Sequence, residues 1–201
     1  MRNNKIYFRL HNSKAIKEYR FDNIKNYPNI PLYVHFWDDH RDYPTNVGNF
    51  LRDEVFQNNY LLDRFYPKEM YVLLPDDTQA LERRAIEEFF MQSIKPKKVV
   101  VAFECHYMNL NKVNYISIAE TCRMLVLTRI EDGVIKGQSF LEKKTYEIEE
   151  LKKHIRSLSI DYDMENVHFY LNESGLNSNY SMGTIVPYEN ILDNFIIKNT
   201  Q

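Results

Sequence analysis

A chain of 201 residues is long enough for one ordinary domain or for two small lobes. Apolar residues make up 44% of it and include 15 Tyr and 12 Phe, which predicts a folded rather than a disordered chain. The 26 basic and 28 acidic residues leave a net charge of −2. This balance lacks the basic excess of proteins that bind phosphate backbones, so we expect no nucleic-acid partner.

Neither a membrane segment nor a cysteine-based site is indicated. No apolar run approaches the roughly 20 residues of a membrane-spanning helix, and Met1 to Lys5 lead into a strand-like run. We therefore expect a cytoplasmic protein without a membrane span. Cys105 and Cys122 form no Cys-x-x-Cys pair, which argues against a disulfide framework or a structural zinc site and favours two buried, reduced thiols.

The first half of the chain predicts three strands followed by alternating helices and strands. The expected strands cover residues 5–10, 15–21, 32–37, 70–74 and 99–103, and the expected helices cover 46–65 and a segment that begins at Asp77 or Thr78. The continuously apolar run 99–103 is typical of a central strand that is covered on both faces. The predicted order is βββαβαβ.

The second half repeats this order. Strands are predicted at 113–118, 124–130, 134–140 and 167–171, helices at 146–158 and 187–197, and a long loop at 172–184. Asp132-Gly133 predicts a tight hairpin, because both residue types tolerate positive φ. The repeated order βββαβα predicts an α/β fold of two tandem ribonuclease-H-like lobes, residues 1–110 and 111–201.

One stretch of about thirty residues resembles a known family. A strand that ends in Pro75 is followed by Ala80-Leu-Glu-Arg-Arg-Ala-Ile-Glu-Glu and then by Lys97-Lys-Val. This pattern is similar to a segment of bacterial rod-shape-determining proteins, which belong to the actin-like ATPase superfamily. Two tandem ribonuclease-H-like lobes are also the layout of that superfamily, so the resemblance extends in outline over most of the chain.

The resemblance implies a phosphate-binding turn in each lobe, where an Asp and several Gly residues would hold Mg²⁺ and ATP. At the corresponding positions this chain has Arg9, His11, Asn12 and Ser13 in the first lobe, and Ser117, Ala119, Glu120 and Thr121 in the second. Arg9 replaces the metal-binding carboxylate, and Glu120 would repel phosphate. The resemblance therefore implies a reduced, degenerate relative that needs no cofactor and does not hydrolyse nucleotide.

Glu104 is the one acidic residue that the family pattern retains after the strand at 99–103. A Glu at the end of a strand is more often a solvated terminus, which is the interpretation we favour.

The densest cluster of potential metal ligands is Asp38, Asp39 and His40. Carboxylate and imidazole groups can bind divalent cations, so a small metal-dependent enzyme is the alternative function. Strand alternation would point Asp38 and Asp39 to opposite faces, which favours a polar turn instead.

The sequence therefore predicts a non-enzymatic actin-like scaffold or assembly protein that acts through a protein partner or through self-association. By family analogy its setting would be bacterial cell-envelope, division, pilus or secretion machinery. Surplus aromatic side chains are expected to form the interface. The first candidates are Tyr43, Phe56, Tyr60, Phe65 and Tyr66, and the second are Tyr180 and Tyr188.

Overall fold

The computed structural model describes residues 5–10, 14–21, 36, 42–56, 69–112, 114–158, 167–173, 180 and 182–200. They belong to two compact units, which are treated separately below. Unit 1 draws on Met1–Leu74 and Thr78–Ala102, and unit 2 draws on Pro75–Asp77 and Phe103–Gln201. The boundary expected between residues 110 and 111 lies within the range of unit 2.

Unit 1 contains a hairpin, two helices and a second pair of strands. Its elements are β1 (Lys5–Arg9), β2 (Ile16–Arg20), α1 (Tyr43–Phe50), β3 (Glu69–Leu74), α2 (Ala80–Ile94) and β4 (Lys98–Phe103). β1 pairs with β2 in antiparallel fashion, from Lys5 opposite Arg20 to Arg9 opposite Ile16. β3 pairs with β4, and a π-helical turn, Leu51–Val55, continues α1.

Aromatic rings form the centre of unit 1. Phe36 and Phe89 stack with ring centroids 4.0 Å apart, and Phe21 packs against Phe36. Tyr43 is only 3% exposed and meets Phe21 edge to face. Tyr43 was expected at an exposed interface, and that expectation is wrong because its ring completes this core.

The helix predicted to begin at Asp77 or Thr78 begins at Ala80, and Gln79 is its N-cap. A capping box closes this end, in which the Gln79 backbone N–H donates to Glu82 Oε2 at 2.8 Å. Reciprocal capping satisfies two backbone donors that the helix itself cannot satisfy. β4 also differs from expectation: it is mostly half-buried, not fully covered on both faces.

Unit 2 contains a five-stranded mixed sheet. Its elements are β5 (Tyr115–Glu120), β6 (Met124–Glu131), β7 (Val134–Glu142), α3 (Ile148–Arg156), β8 (Phe169–Asn172), β9 (Thr184–Val186) and α4 (Tyr188–Thr200), with a 3₁₀ turn at Glu104–Tyr107. The strand order is β7-β6-β5-β8-β9. β5, β6 and β7 are antiparallel neighbours, while β8 runs parallel to β5 and β9 parallel to β8.

The turn between β6 and β7 is the predicted tight hairpin. Asp132 and Gly133 have φ of 51° and 73°, values that most residue types disfavour and that Asp and Gly tolerate. β9 was not predicted, since Thr184 falls in the expected loop. Gly183 precedes it with φ of 82°, and a Cβ there would lie 2.5 Å from Phe169 atoms, so only glycine fits.

One face of the unit 2 sheet carries the apolar core beneath α3. The buried members are Ile116, Ile118, Leu125, Leu127, Tyr146, Leu151, Ile155, Leu171, Tyr180 and Met182. Leu151 and Ile155 lie one turn apart on α3, which is the spacing that placed this helix from sequence. Burial of Tyr180 here contradicts its expected place in an exposed interface.

The α/β class predicted from the sequence is confirmed. In unit 2, β5, β6, β7, α3 and β8 follow the predicted βββαβ order. The third strand predicted for the first lobe, 32–37, lies outside the described residues except for Phe36. The duplication into two ribonuclease-H-like lobes therefore stays a prediction. Within the described segments, no helix is long and apolar enough to cross a membrane.

Candidate functional site

A row of polar side chains crosses the other face of the unit 2 sheet. Gln138 lies opposite Thr128, Thr128 lies opposite Ser117, and Ser117 lies opposite Tyr170. Residues opposite each other on neighbouring strands point to the same face. Gln138 Nε2 donates to Thr128 Oγ1 at 3.1 Å. Ser117 Oγ is buried and has no hydrogen-bond partner among the described residues.

Residues of two segments bond to this face, namely the turn Pro75–Asp77 and the stretch that starts with the 3₁₀ turn. Tyr115 donates its hydroxyl proton to the Cys105 carbonyl oxygen at 2.7 Å. Gln138 Nε2 also lies 3.5 Å from the Asp76 carbonyl oxygen. Asn109 Nδ2 donates to the Tyr170 hydroxyl at 3.0 Å. The polar row thus serves as the attachment surface for these two segments.

Asp76 is the most perturbed carboxyl group of this site. Its Oδ1 accepts the Cys105 backbone N–H at 2.8 Å, whereas its Oδ2 is buried without a hydrogen-bond partner in the described part of the chain. Burial, together with the charges of Glu104 and Asp77, raises the pKa of Asp76 to about 7, although the Cys105 N–H opposes the shift. A carboxyl with this pKa carries a proton for part of the time at neutral pH.

Glu104 lies beside Asp76 and is fully buried. The interpretation of Glu104 as a solvated strand terminus is therefore wrong. Its Oε2 accepts a hydrogen bond from Asn172 Nδ2 at 2.6 Å, and Asn172 is itself buried at the end of β8. The contact became possible because the chain enters a 3₁₀ turn directly after β4 and folds Glu104 inward.

The turn between β5 and β6 closes on itself. Thr121 Oγ1 accepts the backbone N–H groups of Arg123 at 3.2 Å and Met124 at 3.1 Å. The Thr121 N–H donates to the Met124 carbonyl oxygen at 2.9 Å. An anion bound at such a turn would accept hydrogen bonds from backbone N–H groups. Here two of these groups already donate to the Thr121 hydroxyl.

Asp77 fixes the same turn from the 75–77 side. Its Oδ2 accepts the Thr121 hydroxyl at 2.9 Å and Arg123 Nε at 2.7 Å. Arg123 Nη2 donates to the Asp77 carbonyl oxygen at 2.6 Å. Both side chains of this ion pair are largely buried, so the carboxylate gives the turn a negative lining.

The two cysteines occupy different environments. Cys105 is buried, and burial raises the pKa of its thiol well above the usual value. Cys122 is exposed at the β5–β6 turn, contrary to the expectation of two buried thiols. Partial burial of its sulfur and the nearby Asp77 carboxylate raise the pKa of Cys122. Neither thiol has the lowered pKa of a nucleophilic cysteine.

The predicted phosphate-turn residues of the second lobe do not all lie in a turn. Ser117, Ala119 and Glu120 belong to β5, and Thr121 alone begins the turn. Continuous burial explains why the strand runs two residues past its predicted end, since all six residues of β5 are covered. Glu120 lies 3.7 Å from Lys143 Nζ on the face opposite Ser117. In the first lobe, Arg9 ends β1, and His11, Asn12 and Ser13 lie outside the described residues.

The alternative metal cluster, Asp38, Asp39 and His40, also lies outside the described residues and stays a prediction. Within the described ranges, no group of three or more His, Cys, Asp or Glu side chains is arranged to hold a metal ion. Sequence reasoning missed Asp76, Asp77 and Arg123 as parts of one site. The Pro-Asp-Asp motif after β3 was the available signal, and it was interpreted only as a helix start.

The expected aromatic interface is only partly described. Phe56 and Tyr188 are half-buried, and Tyr60, Phe65 and Tyr66 lie outside the described residues. The large apolar side chains that are more than a third exposed are mostly aliphatic: Tyr7, Ile16, Tyr71, Leu81, Met91, Leu110, Val134, Phe140, Ile185 and Ile197.

No protein-family model matches the chain, and no curated protein is significantly similar to it. Among the solved structures that resemble part of it are the following three. Two are of MreB5 from Spiroplasma citri. The AMPPNP complex is 13% identical to this chain, the match covers 65% of this chain and 36% of the MreB5 chain, and the TM-score is 0.39. The ADP complex is 14% identical, the match covers 72% of this chain and 41% of the MreB5 chain, and the TM-score is 0.38. The third is an AlfA filament bound to AMPPNP, which is 13% identical to this chain. The match covers 65% of this chain and 57% of the AlfA chain, with a TM-score of 0.34.

All three TM-scores lie below 0.5. The chain spans between about a third and three-fifths of their lengths.

Proposed function

We propose that this chain is a non-enzymatic, actin-like scaffold or assembly protein that acts through protein–protein contacts. The supporting observation is the chemistry of the β5–β6 turn, which occupies the position implied for a phosphate-binding turn. Thr121 Oγ1 accepts the Arg123 and Met124 N–H groups, and the Asp77 carboxylate lines the same turn.

An ATP phosphate placed there would meet two obstacles. It would have to displace a hydroxyl that accepts two backbone N–H groups and donates to Asp77, and it would approach the Asp77 carboxylate while the neighbouring Arg123 is already engaged in an ion pair. Phosphate sites in proteins use free N–H groups and unpaired cations instead. The turn therefore favours a structural role over nucleotide binding.

The finer parts of this proposal follow from the family resemblance and from composition. Under it, the chain has two ribonuclease-H-like lobes, needs no cofactor, binds no nucleic acid, and contacts itself or a protein of bacterial cell-envelope, division, pilus or secretion machinery. We place it in the cytoplasm on the same grounds.

A nucleotide titration tests the proposal. We expect ATP with Mg²⁺ to leave the melting temperature unchanged and to release no phosphate, with Mg²⁺ alone as the control. A ligand at 100 times its Kd would add about 2.7 kcal/mol to stability, which is easily measured. A saturable rise in melting temperature, or turnover above the rate of a buffer blank, would contradict the proposal.

A matched variant tests whether the Thr121 hydroxyl alone prevents ATP from binding at this turn. Thr121→Ala frees the Arg123 and Met124 N–H groups but keeps Asp77 and Arg123. Binding of ATP by this variant alone would identify the Thr121 hydroxyl as the obstacle. Binding by the unaltered chain would contradict the proposed function itself.

A further inference from the structure

Asp76 and Glu104 are two buried carboxyl groups in one small region of unit 2. Asp76 is 3% exposed and Glu104 is fully buried, and the charge of Glu104 acts on Asp76. Two carboxylates that share a low-dielectric site cannot both ionise without a large penalty, as their mutual repulsion adds to the loss of hydration.

Among the described residues, no cation forms an ion pair with Asp76. Arg123 forms its ion pair with Asp77, and Lys143 lies near Glu120. The ionisable groups close to Asp76 in the described structure are Glu104 and Cys105 from the 3₁₀ turn, Tyr115 from β5, and Asp77 on its own segment. The charges of Glu104 and Asp77 favour a neutral Asp76, whereas the hydrogen bonds from Cys105 favour its ionised form.

Hydrogen bonding to the Asp76 carboxyl is incomplete. Oδ1 of Asp76 receives one N–H, from Cys105, and Oδ2 is buried without a partner in the described residues. The nearby amide of Gln138 is directed to the Asp76 carbonyl oxygen and to Thr128 instead. An ionised Oδ2 would therefore be a buried negative oxygen without a donor, whereas a protonated Oδ2 is a neutral hydroxyl.

We propose that Asp76 keeps a proton in folded unit 2, and that release of this proton leaves an uncompensated charge at the buried Oδ2 and weakens the fastening of the 75–77 turn to the sheet. The fastening consists of the Cys105–Asp76 bond, the Gln138 contact with the Asp76 carbonyl, and the bonds of Asp77 to the β5–β6 turn. It becomes a pH-sensitive element of unit 2.

The sign of the effect follows from linkage. The pKa of Asp76 is about 7 in the folded chain and near 3.8 when exposed, so the folded state binds the proton more tightly. Stability is then greatest when the pH lies below the pKa of Asp76 in the unfolded state. As the pH rises from there towards the pKa in the folded state, the folding equilibrium constant falls by about tenfold per pH unit. Above the pKa in the folded state, this contribution to stability is lost and the folding equilibrium constant no longer changes with pH.

The test compares the full-length chain with Asp76→Asn by chemical denaturation between about pH 5 and pH 8. We expect the folding equilibrium constant of the unaltered chain, relative to the variant, to fall by about 50-fold from pH 5 to pH 7. Asp132→Asn is the matched control: it makes the same change at an exposed hairpin position and should keep the pH dependence of the unaltered chain.

Equal pH dependence in the Asp76→Asn variant and the unaltered chain would overturn the proposal. If the variant does not fold, carboxyl-carbon NMR of the unaltered chain decides. A titration midpoint of Asp76 between about 6 and 8 supports the retained proton, and a midpoint below about 5 refutes it.

Discussion

At the scale of single residues, the polar row on the unit 2 sheet contains groups that look alike in sequence but differ in their bonding. Thr128 accepts a hydrogen bond from Gln138, while Ser117, directly opposite Thr128, is buried with an unpartnered hydroxyl in the described structure. A buried hydroxyl loses its hydration whether or not it finds a partner, so the two residues should contribute to stability with opposite signs.

Replacing Ser117 by Ala is therefore expected to stabilise the chain by about 1 kcal/mol, because the change removes an uncompensated polar atom. The matched change in the same row, Thr128→Val, keeps the side-chain shape but deprives Gln138 of an acceptor. It should destabilise by about 1 kcal/mol. Urea denaturation of both variants measures the difference. Destabilisation by Ser117→Ala would mean that its hydroxyl has a partner after all.

At the scale of secondary-structure elements, the contact between α1 and α2 in unit 1 depends on one glycine. A Cβ added at Gly48 would lie 2.2 Å from the Ser93 carbonyl oxygen, which is a backbone atom and cannot rotate away. Ser93 in turn donates its hydroxyl proton to the Phe89 carbonyl, so this stretch of α2 is held in place. Only a glycine lets the two helices approach so closely.

Gly48→Ala is expected to destabilise the chain by about 3 kcal/mol. The gain in helix propensity, about 1 kcal/mol, is smaller than the cost of forcing two packed helices apart. Gly137→Ala is the control, since a Cβ there would meet its nearest atom at an ordinary 3.5 Å and should change stability by less than ~0.5 kcal/mol. Thermal unfolding followed by circular dichroism compares them. Equal effects at both positions would contradict the close-approach explanation.

At the scale of the whole molecule, two features favour association between copies. The net charge is only −2, which gives little electrostatic repulsion. Several large apolar side chains are well exposed in the described structure, among them Leu81 at 79% and Val134 and Phe140 at just over half. Under the proposed function, burial of such side chains drives assembly.

Sedimentation velocity over a concentration series should therefore show a sedimentation coefficient that rises with concentration. The rise should persist at high salt, because apolar contacts are not screened by ions. Addition of ATP with Mg²⁺ should not alter it. A single monomeric species at every concentration would exclude self-association and leave only a foreign protein as partner.

Several features of this protein were determined by the sequence alone. The period of apolar residues placed α3 through Leu151 and Ile155, and the Asp132-Gly133 pair placed the β6–β7 hairpin, because both signals act over a few neighbouring residues. The α/β class followed from the order of these local elements.

The tertiary structure alone decided the site. Asp76 and Cys105 are 29 positions apart, Asp77 and Arg123 are 46 apart, and Glu104 and Asn172 are 68 apart. Nothing in the local pattern distinguishes a buried carboxyl from a helix cap or a solvated strand end, since burial depends on which distant segments pack around it. The same reason placed Tyr43 in the core, where Phe21 covers it, and carried β5 two residues past its predicted end, to Glu120.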